Sequence, residues 1–159
     1  MAFNLEVVIA PLSSKNPIGY IAIRVFAHAT EDPEKVLTAV RNMLPPETLD
    51  AVAFKKSSLA GHHGNPIILF EARIKDKNAV QAIFGRIAAG LGIMDKEILN
   101  SEIESHLERG NLYLRLDKQS AYLNEARIAK ADAIHFKIHF RKEKPKEILE
   151  ICRKFGLLP

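Results

Sequence analysis

The chain has 159 residues, of which 47% are hydrophobic and 26% are charged, close to the average for a globular domain. These values exclude a disordered, collagen-like or coiled-coil chain, and no apolar run is long enough to cross a bilayer. The net charge is +4, and the basic excess lies entirely in residues 127–159, which hold 9 Lys and Arg against 4 Asp and Glu. Clustered basic charge favours a polyanionic partner such as nucleic acid, and a solvated surface is the alternative explanation. We expect one soluble, cytoplasmic domain over residues 1–159, with residues 1–17 as an N-terminal extension to which the sequence assigns no role.

The first third of the chain predicts two strands and one helix. Residues 3–10 have the composition of a short strand. Residues 19–28 alternate apolar residues with polar and aromatic ones, as in a strand with one buried face. Residues 32–44 begin with Asp-Pro, a common helix start, carry apolar residues at helical spacing and end before a Pro-Pro pair.

The middle of the chain predicts a β-hairpin followed by two helices. Residues 50–58 and 67–74 have strand patterns, and the turn GHHGNP over residues 61–66 joins them. The glycines and the asparagine of this turn tolerate left-handed backbone. Apolar residues at helical spacing then predict helices over residues 77–91 and 95–108.

The last third predicts strands over residues 111–117 and 133–141 and a helix over residues 145–155, while residues 118–131 favour a short turn or helix. Short turns and one-sided alternation favour an α+β fold in which an antiparallel or mixed sheet carries its helices on one face. The other face of the sheet must then meet water or a partner.

This open face of the predicted sheet combines aromatic rings with cations. Alternation along three strands places on it Tyr20, Arg24, Phe26 and His28, then Tyr113 and Arg115, then His135, Lys137, His139 and Arg141. The set has no acidic member before Asp117. Cations neutralise phosphates and rings stack on unpaired bases, so the pattern predicts an RNA-binding surface. The alternative is that some of these residues, Tyr20 and Phe26 above all, pack under the N-terminal segment.

Motifs for catalysis or metal binding do not emerge from the sequence. It contains no phosphate-binding loop, dinucleotide-binding loop, nucleophile elbow or zinc-protease motif. Cys152 is the only cysteine and lies on the apolar stripe of the last helix, as a core thiol does. His62 and His63 have no third ligand nearby, whereas a zinc site needs three or four, so the turn is better suited to an anion. We therefore predict no enzyme, no cofactor and no metal.

Three segments of the chain resemble an archaeal family described as RNA-binding and as a predicted exosome subunit. They are IRVFAHATEDPEKVLTAVRNMLP (residues 23–45), GHHGNPIILFEARI (residues 61–74) and LYLRLDKQSAYL (residues 112–123). The resemblance extends over about residues 18–150. It implies a fold like that of the 5S-rRNA-binding ribosomal protein of the large subunit, with an exposed sheet and a role in RNA processing or ribosome biogenesis. It implies no catalytic residues.

Two functions are compatible with these patterns. The first is a noncatalytic protein that binds structured rRNA-like or single-stranded RNA and is associated with the exosome or with other RNA-processing proteins. Its predicted contacts are the cations Arg24, Arg115, Lys137, His139, Arg141 and Lys142, the ring of Tyr113, and a second group comprising Lys55, Lys56, His62, His63 and Lys118. The second is an adaptor or homodimer that uses the same face for a protein partner. Neither involves a membrane.

Overall fold

The computed structural model describes residues 16–159 and has a six-stranded antiparallel sheet at its centre. Its strands are β1 (Ile18–Ala27), β2 (Lys55–Ala60), β3 (Pro66–Ile74), β4 (Leu107–Glu108), β5 (Asn111–Asp117) and β6 (Ala133–Phe140). They lie in the order β2-β3-β1-β6-β5-β4, and every neighbouring pair is antiparallel. The strand predicted at residues 3–10 lies outside the described residues.

The helices follow the strands in the α+β pattern expected from the sequence. They are α1 (Pro33–Asn42), α2 (Lys77–Gly90), α3 (Ile93–Ser101), α4 (Ile103–His106), α5 (Lys118–Tyr122) and α6 (Pro145–Phe155). Asp32 caps α1 by accepting from the backbone N–H of Glu34, and Gly156 ends α6 in the left-handed conformation. Within residues 16–159, no helix combines the length and the apolar character needed to cross a membrane.

The hydrophobic core lies between the helices and one face of the sheet. Every second residue of the central strands is buried there, as alternation predicted: Ile21, Ile23, Val25, Leu112, Leu114, Leu116, Ile134, Phe136 and Ile138. The predicted stripe of α2 is also buried, including Val80, Ile83 and Phe84. The fold class predicted from the sequence, α+β with helices on one face of an antiparallel sheet, is confirmed.

The strand predicted over residues 50–58 is wrong in its first half. Residues Pro46–Ala51 form a 3-10 helix, and β2 begins only at Lys55. The N–H of Val52 donates to the carbonyl of Leu49, so the 3-10 turn continues into the residues where the apolar pattern predicted the start of a strand.

The GHHGNP turn joins β2 to β3 as predicted, but its backbone differs in detail. The left-handed residues are His63, with φ of 61°, and Gly64, with φ of 77°. Gly61 and Asn65 have negative φ values of −85° and −66°, so neither uses the left-handed freedom that the sequence offered.

The helix predicted over residues 95–108 is divided into α3, α4 and the short strand β4. The break falls at Glu102, whose φ of −110° and ψ of 13° lie outside the α-helical range. Ser101 and Ser105 flank it, and each donates its hydroxyl to a backbone carbonyl three residues earlier. Such bonds compete with the helix ladder and bend it, which brings the chain onto the sheet edge at β4.

Truncation of the central core aromatic, Phe84→Ala, should lower the free energy of unfolding by about 3–5 kcal/mol. Phe84 is fully buried, and its ring packs edge-to-face on Phe140 at 5.8 Å and on Phe155 at 4.9 Å. Urea unfolding measures the loss, and Tyr113→Ala on the opposite face of the sheet serves as the control. Equal stability of the two variants would contradict the assignment of the core to this face.

Candidate nucleic-acid interface

The face of the sheet opposite the core carries the side chains that alternate with the buried ones. From the four long central strands these are Tyr20, Arg24 and Phe26 of β1, Glu71 and Arg73 of β3, Tyr113 and Arg115 of β5, and His135, Lys137 and His139 of β6. Each of these residues is exposed or half-buried. The alternation predicted for β1, β5 and β6 is therefore confirmed.

The strand register aligns five of the polar side chains of this face in one row, called the charged row below. Arg115 on β5 is paired with His135 on β6, and His135 is paired with Arg24 on β1. Arg24 is paired in turn with Glu71 on β3, and Glu71 with Lys55 on β2. With neighbouring strands about 4.8 Å apart, the row extends about 19 Å across the sheet.

Glu71 is the acidic member of the charged row, and it is absent from the residues predicted for this face. Its carboxylate lies 3.7 Å from the guanidinium of Arg24, with both side chains partly exposed. The expectation of no acidic residue on this face before Asp117 is wrong, because only three strands were predicted to contribute to the face and β3 is a fourth. Alternation along residues 67–74 carried the missing signal for Glu71 and Arg73, once β3 is known to lie beside β1.

Two arginines flank His135, and the protonation of the histidine responds to them. Burial, followed by the charges of Arg115 and Arg24, lowers the pKa of His135 below its ordinary value of 6.5, with Asp132 acting in the opposite direction. The imidazole is therefore neutral at pH 7, and two arginines can lie on either side of it without a third positive charge between them.

A second group of side chains, near the start of β1, is organised around the ring of Tyr20. That ring stacks on His139 with 4.7 Å between centroids, and the guanidinium of Arg73 lies 3.9 Å from the ring centre. His139 Nδ1 lies 2.7 Å from Asn111 Oδ1, so the ring N–H donates to the amide oxygen. Tyr20 is thus occupied by protein contacts, whereas Tyr113, with 40% of its surface exposed, offers a ring to a ligand.

A groove of about 520 Å³ lies over the middle of the charged row. Side chains of three strands line it, namely Arg24, Phe26, Tyr113, Arg115, His135 and Lys137, with Ser105 and Glu108 also contributing. A groove of this size fits a nucleotide-sized group. Its lining combines cations and two aromatic rings with the carboxylate of Glu108, and cations and rings are the groups that bind phosphates and bases.

The remaining predicted cations lie at different distances from this groove. Lys55 ends the charged row, whereas Lys56 is the next residue of β2 and alternation places it on the opposite face. Arg141 follows β6 directly and is exposed. Lys142 is also exposed, and its ammonium lies 3.9 Å from the carboxylate of Glu147.

The turn with His62 and His63 lies at the far end of the β2–β3 hairpin. The last pair of that hairpin, Ala60 with Pro66, is five residues along β2 from Lys55 in the charged row. That separation corresponds to about 17 Å. The structure therefore does not bring the exposed His63 next to the groove.

Lys118 lies inside the protein, and the structure gives its ammonium a different task from the predicted one. The Nζ atom donates to the carbonyl of Phe26 at 2.6 Å, to Asp132 at 2.9 Å and to Glu31 at 3.1 Å, and only 10% of the side chain is exposed. An ammonium has three donors, and all three are used. Lys118 ties the end of β1 to the loops on either side, and its ammonium is not presented on the exposed face of the sheet.

The acidic groups around Lys118 form a salt-bridge cluster that also includes a histidine. His28, Glu31 and Asp132 place their possible ligand atoms within 4.8 Å of one another, but the Lys118 ammonium already occupies the cation position among them. Burial would raise the pKa of Asp132, yet the hydrogen bonds and charges of Lys118 and His28 together lower it below its ordinary value. The cluster is suited to holding the loops together rather than to binding a metal.

Comparison with known proteins gives consistent results for sequence and structure. The model of a family described as RNA binding matches residues 20–140. RNA-binding protein PAB1135 of Pyrococcus abyssi is 38% identical over 121 residues, covering 74% of this chain and 79% of that protein. Uncharacterized protein MJ0213 of Methanocaldococcus jannaschii is 34% identical over 140 residues, covering 82% and 93%. The solved structure of Mth689 from Methanothermobacter thermautotrophicus, a DUF54 protein, is similar with a TM-score of 0.72, 29% identity and coverage of 88% and 98%.

Replacement of the buried amine, Lys118→Met, should lower the free energy of unfolding by about 1–3 kcal/mol. The substitution removes one donor from the Phe26 carbonyl and from two carboxylates, and the remaining contacts of Glu31 and Asp132 with His28, together with their partial exposure, limit the loss. Urea unfolding measures it, with the exposed Lys154→Met as the control. A Lys118→Met protein as stable as the control would contradict the structural role of the ammonium.

Proposed function

Because the chain belongs to the RNA-binding family matched over residues 20–140, we propose that it is a noncatalytic protein that binds RNA through the charged row. The observation that carries this proposal is the register that places Arg115, His135 and Arg24 side by side on three neighbouring strands. The sheet fixes the spacing of these three backbone positions before the ligand arrives, so binding requires no ordering of the backbone.

The groove provides distinct positions for phosphates and for bases. Arg24 and Arg115 present planar guanidinium groups that can donate two hydrogen bonds to one phosphate. Lys137 lies in the neighbouring row opposite Tyr113, so a second phosphate and a stacked base fit beside the first phosphate. A flat sheet with an exposed ring suits unpaired RNA, whose bases can turn toward the protein.

The proposed contact set extends beyond the groove to cations at the end of the charged row and after β6. Lys55 ends the charged row, and Arg141 and Lys142 follow β6. His139 lies on β6 two residues after Lys137, and its ring N–H is directed to Asn111. These residues would extend the path of the RNA in both directions, whereas Lys56, His62 and His63 would contact only a longer or structured RNA.

We further propose a role in RNA processing or ribosome biogenesis, in the cytoplasm and in association with the exosome or a similar assembly. The supporting observations are the relative named as an RNA-binding protein and the exposed sheet face. The resemblance to the 5S-rRNA-binding ribosomal protein remains a prediction, and it makes a structured rRNA fragment one of the RNAs to test.

Reversal of the two central charges, Arg24→Glu with Arg115→Glu, should weaken binding of a short single-stranded RNA by about 100-fold. Two phosphate contacts are lost, so the slope of log K against log salt should fall by about 2. Fluorescence anisotropy at two salt concentrations measures both quantities. Lys146→Glu with Lys154→Glu on α6 makes the same change in net charge away from the groove and should retain most of the affinity.

The outcomes of this comparison separate three explanations. An equal loss in both double variants would show that only net charge matters and would contradict the proposed surface. A wild-type protein that binds no RNA but forms a stable dimer that shields Tyr113 would support the protein-partner function instead. A structured rRNA fragment bound far more tightly than single-stranded RNA would place the contacts outside the groove.

Removal of the acidic group of the charged row, Glu71→Gln, should strengthen RNA binding by about fivefold, since the ion pair that competes for Arg24 contributes about 1 kcal/mol. The substitution frees the guanidinium and removes a charge that repels phosphate. The same anisotropy titration measures the gain, with Glu150→Gln on the exposed side of α6 as the charge-matched control. Unchanged or weaker binding by Glu71→Gln would contradict the location of the phosphate contacts.

A further inference from the structure

His135 differs from three other histidines of the described chain in having no internal hydrogen-bond partner. His28 is bound to Asp132, His106 to the carbonyl of Tyr113, and His139 to Asn111. No hydrogen bond joins the His135 ring to any group within residues 16–159. The ring lines the groove at the centre of the charged row, where both of its nitrogens remain available to a ligand.

The groups that face His135 from the neighbouring elements are mostly cationic, and Glu108 of β4 adds a carboxylate to the groove that the ring lines. Arg24 lies on β1, Arg115 on β5 and Lys118 on α5, and their charges favour the neutral ring. Asp132, in the loop before β6, favours the charged ring, but it is already bound by Lys118 and His28. The free protein thus holds a neutral imidazole between two guanidinium groups.

We propose that Arg24, His135 and Arg115 form a phosphate-binding site for one phosphodiester of unpaired RNA, and that occupation of this site protonates His135. The inference rests on the proposed RNA-binding function and names the position of the central phosphate. Neighbouring strands are about 4.8 Å apart, so donors from three of them can converge on one phosphate placed above the middle strand. Tyr113 in the adjacent row then lies beside the base that follows or precedes this phosphate.

The phosphate reverses the electrostatic balance at the imidazole. Without it, two positive neighbours disfavour a proton on the ring. When the phosphate is bound, a negative charge lies within hydrogen-bond distance of the ring. Protonation then gives the ring a second N–H, which can donate to the phosphate. The pKa of His135 is therefore lower in the free protein than in the complex, and binding takes up a proton whenever the pH lies between the two values.

The sign of the pH dependence follows from this linkage. RNA affinity should rise as pH falls through the pKa of the complex, and the gain should be complete below the pKa of the free protein, which is itself below 6.5. A difference of one pKa unit corresponds to about a tenfold gain in affinity. The opposite sign, with weaker binding at lower pH, would follow only if the ligand bound the neutral ring.

The test is a titration of wild-type, His135→Gln and His106→Gln proteins with a short oligouridylate, between about pH 5.5 and pH 8.5 at constant ionic strength. His106 lies outside the proposed contact set, with its ring bound to the carbonyl of Tyr113. Wild type should gain about tenfold in affinity at the acidic end, His106→Gln should keep most of this gain, and His135→Gln should lose it. Calorimetry in buffers of different ionisation enthalpy should detect proton uptake with wild type and not with His135→Gln. Thermal unfolding of each variant checks that the substitution leaves the fold intact.

The outcomes distinguish failure of this inference from failure of the proposed function. Undiminished proton uptake by His135→Gln, or a pH dependence lost in His106→Gln instead, would overturn the phosphate site while RNA binding itself stands. A wild-type protein that binds RNA at no pH would overturn both. If uridine monophosphate bound as tightly as RNA and with the same proton uptake, the assignment to an RNA backbone would be overturned. The site would then be a mononucleotide site.

Discussion

The antiparallel register of β1, β6 and β5 is the constraint on which the rest of the structure depends. The pairing of Ile23 with Phe136, and of Phe136 with Leu114, places apolar side chains opposite one another in the core. Because side chains alternate along a strand, the same register aligns the next residues on the other face. A shift by one residue would bury the cations and expose the core, so packing of the core and alignment of the charged row cannot vary independently.

The charged row carries an electrostatic cost that the core offsets. Like charges on neighbouring strands repel, and three cations side by side would destabilise the sheet. Neutral His135 between the arginines, and Glu71 beyond Arg24, reduce this repulsion in the free protein. A phosphate would do the same more effectively, because it brings negative charge to both arginines at once. The charged row is thus tolerated without RNA, and it retains an excess of positive charge that a phosphate can neutralise.

Much of the fold and part of the site were predictable from local patterns. Alternation identified β1, β5 and β6 and assigned each residue to a face, and helical spacing identified α1, α2 and α6. The same reasoning failed where the 3-10 helix over Pro46–Ala51 and the hydroxyl bonds of Ser101 and Ser105 redirected the backbone, because such local turns leave no periodic signal. It also failed for Lys118, whose position after a strand gave no indication that three acceptors from distant segments surround its ammonium.

The sequence by itself determined which residues face the core and which face away, since that property depends only on the period of a single strand. It determined the presence of cations and rings on the exposed side for the same reason. The tertiary structure alone decided the strand order and the register. These place Glu71 beside Arg24, and they place His135 between Arg24 and Arg115, although Arg24 and Arg115 are 91 positions apart in the chain. Long-range neighbours of this kind arise from the packing of whole strands, and no local pattern records them.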